Sequence, residues 1–358
     1  MNTQIRESDI AQWLSLYRNR TVFHGELHDH AATGGTSDGA CPLDVWKAEM
    51  AEQKLDFAAI LDHRQVRHMY LPEWDDRLFV SGTEPGTSIS DSRAQQPSLH
   101  YNMIVPDAKV LEEILDEFPE YGFTGGPEGH FTYPRFTRER FGALADAVRA
   151  HGGFFVIPHP KQIMVSDDPL EYWFRDETGI EAVYRSLDSE DTAADTALWL
   201  ELLRLGKRVW ACAGGDEHNH PHNTAITTVY AEQQSGRSYL PHLRCGDFTC
   251  GSVGIRMCIG DTPMGGLCDF SGKRLVLAAG DFHDSVVLPG HSYRLDILDM
   301  EKAVCSVPVA PETVSFLALD ADSSAAFWRA EIWDETRNLR IALGNPIWNS
   351  SLIDSIIR

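Results

Sequence analysis

Apolar and polar positions along the first 230 residues fall into two alternating textures. Short apolar runs of strand length recur: TVFHGELHDH (21–30), DFAAILDH (56–63), RLFVSGTEPG (77–86), LHYNMIV (99–105), GGFFVIPHP (152–160), GIEAVYRS (179–186) and RVWACAGGDEH (208–218). Between them lie segments of helical spacing. Pro42 opens one with Leu43, Trp46 and Met50 on a single face, and others are predicted at 107–117, 137–150 and 192–205, the last with Leu198, Leu202 and Leu205 together. FTGGPEGH (123–130) reads as a loop. Strand alternating with helix over this length predicts a parallel α/β sheet or barrel.

After about residue 250 the texture changes. KRLVLAAG, HSYRLDIL, KAVCSVPV, VSFLALD, AFWRAEIWD and LRIALGN are strand-like, Gly, Pro and Asp separate them, and helical periodicity is nearly absent. The expectation is two parts: a barrel over 1–250 and a small β-sandwich over 251–358. No internal repeat or low-complexity tract interrupts either.

Composition narrows the partners. Lys and Arg number 31 against 53 Asp and Glu, a formal charge of −22 over 358 residues. Such a chain repels phosphate backbones and anionic membranes, so no nucleic acid and no membrane is expected as partner. The seven cysteines are odd in number and form no C-x-x-C, which argues against a disulfide framework or a cysteine zinc site. The N-terminus lacks the basic start and apolar core of a signal peptide, and no run approaches a membrane span. A cytoplasmic location is the expectation.

The polar residues at the ends of the apolar runs carry the chemistry. His28 and His30 stand two apart on a strand, so both point to one face and can grip one cation, while Asp29 points away. An isolated H-x-H is also what any polar strand end can give. That reading weakens as Asp38, Asp62-His63, Glu84, His100, His159 and Asp216-x-His218 follow at successive strand ends, where barrels carry their catalytic residues. Imidazole mixed with carboxylate suits Zn, Mn or Fe better than Ca or Mg. The ligands outnumber those of one tetrahedral site, which implies more than one ion.

In order, these motifs are His28-x-His30 with Ser37-Asp38-Gly39, then Asp62-His63, then His159-Pro160, then Asp216-x-His218, with Glu84 and His100 between the second and third. In this the chain resembles the PHP (polymerase and histidinol phosphatase) superfamily of metal-dependent phosphoesterases, over roughly residues 21–230. The resemblance implies a distorted (β/α)7 barrel with two or three divalent metals at its C-terminal rim. It implies that His28, His30, Glu84 and Asp216 hold one metal, that Glu84 bridges to a second completed by His100 and His159, and that Asp38, His63 and His218 surround the third. Asp38 stands further from His28 than the usual motif has it, because TGG intervenes, and a second-shell role orienting a histidine is the alternative. The implied nucleophile is a metal-bound hydroxide held by Glu84, Asp216 and His218, with no serine or cysteine needed. The tail, FWRAEIWDE with IALGNPIW, resembles the β-rich part of carbaryl-hydrolase-like PHP metallohydrolases, in which the NPI stretch closes the chain against the barrel.

Arg64, Lys161 and Arg185 lie beside the motifs and are candidates for binding substrate phosphate or carboxylate, as are His220 and His222 for lining the pocket; surface ion pairs and solvated loop histidines are the plain alternatives. His68 is placed within reach of the rim, and His24, deeper in its strand, is read as structural. Trp173, Trp199 and Trp210 are read as core or interface residues. The resemblance implies hydrolysis of a small-molecule phosphomonoester or phosphodiester. Carboxyl-ester or carbamate hydrolysis on the same metals is the alternative, and a catalytically silent binding module a third. The β-rich part is left three roles: supporting the barrel, shaping the pocket rim, or mediating a homodimer.

Overall fold

The computed structural model describes residues 4–91, 99–163, 174–219 and 225–353. Its helices are α1 (Glu7–Tyr17), α2 (Leu43–Gln53), α3 (Ala108–Asp116), α4 (Arg138–Ala150), the short α5 (Pro160–Ile163), α6 (Glu190–Arg204) and α7 (Gly236–Cys245). Side-chain caps start several of them: Asp107, Thr137 and Ser189 accept from the backbone N–H groups of Val110, Arg140 and Thr192. On α2 the predicted Leu43, Trp46 and Met50 are the buried face, and the Trp46 indole donates to the His30 carbonyl, tying the helix to the H-x-H strand.

The buried face of α6 differs from expectation. It is made by Thr192, Asp195, Thr196, Trp199, Leu202 and Leu203, while Leu198 is only partly buried and Leu205 caps the helix. Polar side chains turn inward there because each closes a backbone bond: Thr192 donates to the carbonyls of Tyr184 and Ser186, Thr196 to that of Ala182, and Asp195 accepts from Lys161 N–H. The hydrophobic pattern alone does not register such bonds. Helices α1 and α7 also lie outside the predicted set, the latter with Pro241 inside it.

The first twelve strands are β1 (Thr21–Asp29), β2 (Phe57–Ile60), β3 (Phe79–Thr83), β4 (Gly86–Ile89), β5 (Leu99–His100), β6 (Asn102–Ile104), β7 (Arg135–Phe136), β8 (Phe154–Ile157), β9 (Gly179–Tyr184), β10 (Trp210–Gly214), β11 (Thr227–Ala231) and β12 (Phe248–Gly251). A large sheet runs β10-β9-β8-β6-β3-β2-β1-β11-β12. From β10 to β1 every neighbouring pair is parallel except at β6, which is antiparallel to both β8 and β3. The expected (β/α)7 barrel is not closed by a ladder among the described residues. The reason is local: the free edge of β1 is taken up over Thr21–Gly25 by antiparallel pairing with β11. Only its last residues meet the segment after β10, where Asp29 bridges Glu217, His30 N–H donates to the Glu217 carbonyl and Asp216 N–H donates to the His28 carbonyl.

The C-terminal strands are β13 (Val253–Ile259), β14 (Thr262–Pro263), β15 (Leu267–Cys268), β16 (Arg274–Phe282), β17 (Tyr293–Asp299), β18 (Lys302–Val309), β19 (Ser315–Asp320), β20 (Phe327–Asp334), β21 (Leu339–Gly344) and β22 (Ile347–Asn349). They are β-rich, as the pattern predicts, but the hydrogen bonds do not stop at residue 250. Strand β12 pairs with β11 on one side and β21 on the other, so β21, β20, β17 and β18 prolong the large sheet, while β14-β13-β16-β19 form a separate antiparallel sheet. The NPI stretch does close against the first part: the Asn345 side chain accepts from Ala211 N–H on β10 at 2.8 Å. Trp199, Trp210, Trp328 and Trp348 are fully buried, as core aromatics; Trp173 lies outside the described residues.

Candidate metal centre

The ends of the parallel strands gather the ligand-type residues. His28 is on β1 and His30 just beyond it; Glu84 follows β3, His159 follows β8, and Asp216 and His218 follow β10. Asp38 comes from the loop after β1, His63 from the turn after β2, and His100 closes β5. A register shift between Glu26 and Asp29 against β2 marks where β1 bends into the cluster. Four of the nine non-glycine residues with left-handed backbone among the described residues lie at the rim: Arg64 (φ 49°), His159 (φ 29°), Arg185 (φ 58°) and Asp216 (φ 52°). Such conformations cost on the order of 1–3 kcal/mol each and concentrate at ligand clamps.

Three groups of potential ligands emerge: His28, His30, Glu84 and Asp216; Glu84, His100 and His159; and His30, Asp38, His63 and His218. In the first, His28 Nε2 and His30 Nε2 lie 3.3 and 3.2 Å from Glu84 Oε2, and 3.6 and 3.2 Å from Asp216 Oδ1. In the second, His100 Nδ1 and His159 Nε2 lie 2.9 and 3.1 Å from Glu84 Oε1. In the third, Asp38 reaches the cluster despite its longer loop, with His218 Nε2 at 3.2 Å and His63 Nε2 at 3.4 Å. His30 enters two groups and Glu84 two, which makes the groups contiguous.

The donor set fits divalent ions. A tetrahedral ion with bonds of about 2.0–2.2 Å holds its ligand atoms roughly 3.3–3.6 Å apart, close to the spacings of the first group. More telling, His28 Nε2, His30 Nε2 and Glu84 Oε2 are buried and have no hydrogen-bond partner. Buried polar atoms are ordinarily satisfied, and three that converge on one point call for a shared partner.

Electrostatics agree. Burial opposes ionisation of Glu84, but His28, His100 and His159 outweigh it and hold the carboxyl well below the usual carboxylate range. Burial likewise opposes charge on His30, yet the Asp216 and Glu84 carboxylates beside it push it up to about 9. Burial opposes charge on His28 and His100 as well, and the carboxylates that face them push both up. Asp29, which takes part in none of the three groups, is driven the other way: burial raises its carboxyl well above the usual range.

The second-rank residues divide. Arg185 stands at the mouth, half exposed, 3.4 Å from Asp216 Oδ2 and with its guanidinium 4.9 Å from the centre of the Tyr184 ring. Arg64 is partly exposed and stacks at 5.8 Å on Tyr133. Lys161 is exposed, and its backbone N–H is held by Asp195. His220 and His222 lie outside the described residues. His68 does not reach the rim: the 3-10 turn Arg67–Tyr70 directs it inward, where Nε2 meets the Gly82 carbonyl and the ring packs on Trp74. His24 is buried and structural, bonded to the Thr228 hydroxyl. Asp62 is not in the three groups either. It accepts from Ala31 N–H and the Thr33 hydroxyl, fixing the loop that carries Asp38.

Two residues of the centre escaped the motif reading, both on β9. Glu181 touches His28 and the His159 backbone, and the Tyr184 hydroxyl donates to Asp216 Oδ2 at 2.8 Å. Glu181 did leave a signal: a carboxylate inside the apolar run GIEAVY has to find a partner when buried.

No known family model matches the chain, and no curated protein matches it. Among the described residues no helix is long and apolar enough to cross a membrane. Eight chains of solved structures match it. One is a two-domain protein from Bacteroides vulgatus containing a predicted PHP-like metal-dependent phosphoesterase: 13% identity, 97% of each chain covered, TM-score 0.44. Another is an amidohydrolase from Chromobacterium violaceum with bound sulfate and no metal, at 16% identity over 55% of this chain and 87% of that one, TM-score 0.37. A third is Endonuclease Q in complex with a duplex carrying an abasic lesion, at 11% identity over 63% of this chain and 57% of that one, TM-score 0.39.

Proposed function

We propose that this chain is a metal-dependent hydrolase of the PHP kind that cleaves a small-molecule phosphomonoester or phosphodiester. In this reading residues 1–250 form the metallohydrolase part, as an open variant of the barrel, and 251–358 the β-rich part that braces it. One observation carries the reading: nine side chains from six strand ends converge in three contiguous groups, and in the first of these His28 Nε2, His30 Nε2 and Glu84 Oε2 are buried without hydrogen-bond partners.

Bound Zn, Mn or Fe ions, two or three in number, would supply Lewis acidity and make water a nucleophile at neutral pH. The chain's own residues do the rest. Glu84 turns one oxygen to the His28–His30 side and the other to the His100–His159 side, so it spaces two ligand groups rigidly. Tyr184 and Arg185 hold Oδ2 of Asp216, which leaves Oδ1 facing His28 and His30. Arg185 uses one N–H on Asp216 and keeps the remaining donors for a phosphoryl oxygen. Arg64 and Lys161 add positive charge beside the cluster on a chain of charge −22, which favours a small anion over a nucleic-acid strand.

The test is a steady-state screen after loading with Mn or Zn, using p-nitrophenyl phosphate, bis-p-nitrophenyl phosphate, an aryl carboxyl ester and a short DNA duplex. Turnover of a phosphate ester is expected. Turnover of the aryl ester alone would replace the phosphoesterase reading by ester or carbamate hydrolysis. Cleavage of the duplex would overturn the small-molecule reading, and protein that retains less than one equivalent of metal would point to a silent module.

A further inference from the structure

Strand β9 contributes no side chain to the three ligand groups, yet it carries a buried carboxylate in direct contact with two of them. Glu181 is 1% exposed. Its Oε1 lies 2.8 Å from His28 Nδ1, and its Oε2 accepts from the His159 backbone N–H at 2.8 Å. These two histidines belong to different ligand groups, His28 to that of Asp216 and His159 to that of His100. We propose that Glu181 is a positioning residue that sets the ligand geometry of two metal positions at once. The inference rests on the metal-centre reading above and adds to it which side chain outside the ligand set enforces it.

The chemistry of an imidazole explains the first half. A neutral ring has one N–H and one lone pair, and the partner of one nitrogen decides what the other offers. With the Nδ1 proton held by Glu181, the lone pair of His28 is on Nε2, the atom that is buried without a partner and faces Glu84 and Asp216. The second half concerns backbone. His159 sits at φ 29°, outside the comfortable range for a side-chain-bearing residue, and its N–H bond to Glu181 secures that turn while Nε2 stands 3.1 Å from Glu84 Oε1.

The neighbouring strand makes room for this arrangement. A Cβ on Gly214 of β10 would lie 2.3 Å from Glu181 Oε1 and 2.7 Å from His28 Cβ. Glycine at that point lets the carboxylate and the imidazole meet across β10. Both donors need an acceptor, and a carboxylate has one oxygen for each. An amide has a single acceptor oxygen, so Glu181→Gln can satisfy only one of them.

The experiment compares wild-type and E181Q protein by zinc titration in competition with a chromophoric chelator, and by the visible absorption of the cobalt-loaded forms. Expected is a loss of roughly 10–100-fold in affinity for at least one equivalent of zinc, with an altered cobalt spectrum. A variant that melts at lower temperature but binds zinc as tightly as wild type would show a merely structural role and overturn the proposal. Should E181Q fail to fold, zinc-loaded wild-type protein with 15N-histidine decides: the proton of His28 is expected on Nδ1, and a proton on Nε2 refutes the assignment. Wild-type protein that binds no zinc overturns the metal-centre reading and this inference with it, whereas equal binding by wild type and E181Q sinks this inference alone.

Discussion

Two buried carboxylates, Glu331 and Glu84, are met by different partners. Glu331, on β20, is 2% exposed and is met on both oxygens by the chain's own cations: Arg329 on Oε1, and Arg340 at 3.0 Å on Oε2, where the Trp333 indole also donates. Glu84 is equally deep, but Oε2 is surrounded by imidazoles and has no hydrogen-bond partner. Both carboxyls are held below their usual range against the cost of burial, one by guanidiniums and the other by histidines. The partner type makes the difference. A guanidinium has no lone pair to give, so the Arg329–Glu331–Arg340 set offers a metal nothing beyond the carboxylate. A histidine can exchange its proton for a metal, so the Glu84 set is one that could hold ions. A buried carboxylate is therefore weak grounds for a site by itself, and unpaired imidazole nitrogens around it are stronger grounds.

The largest effect that would break this contrast comes from Glu84→Gln. It removes the charge that two ligand groups share. A fall in kcat/KM of on the order of a thousandfold is expected on whichever phosphate ester the metal-loaded enzyme turns over, about what loss of a central electrostatic group costs. Metal content should fall below the wild-type stoichiometry by elemental analysis. Full metal retention with full activity would place the catalytic ions elsewhere.

How much of this was readable beforehand follows the same line. The nine ligand-type residues are legible because each group sits at a strand end in a short motif, and short motifs survive as sequence patterns. Glu181 was not, because its role depends on contact with His28, 153 positions away. His68 was misplaced because spacing does not show a 3-10 turn rotating a side chain toward Gly82. The strand–helix alternation pointed to a parallel sheet, but not to the reversal of β6 within it. The opening of the barrel, and the continuation of its sheet through β11 and β12 into the C-terminal strands, depend on which distant edges pair. Periodicity is silent about that.

The second prediction strikes the other member of the pair. Glu331→Gln leaves two guanidiniums facing a neutral amide in the interior. Breaking one partner of a buried ion pair costs about 3–5 kcal/mol, so the urea midpoint should drop sharply while zinc stoichiometry stays at the wild-type value. A variant that lost metal as well as stability would couple the two regions and dissolve the distinction between a carboxylate held by guanidiniums and one held by imidazoles.

The smallest effect separates two histidines on one strand. His24 and His28 are four residues apart on β1. His28 has Glu181 on one nitrogen and the ligand cluster at the other, whereas His24 is bonded to the Thr228 hydroxyl and lies 5.3 Å, ring to ring, from His283. Burial, with His283 adding to it, lowers His24 from 6.5 to about 4; Asp281 and Asp284 offset only part of this. The folded form thus resists a proton that the unfolded chain accepts. Stability from this site is full above about pH 6.5 and is lost as pH falls toward about 4, by up to about 3 kcal/mol from the size of the shift. In chelator-treated protein, His24→Gln should flatten the fall in denaturation midpoint between those pH values relative to wild type. Equal pH dependence in the two proteins would mean that His24 is protonated as readily folded as unfolded. That outcome would remove the contrast between a histidine used for packing and one used for metal on the same strand.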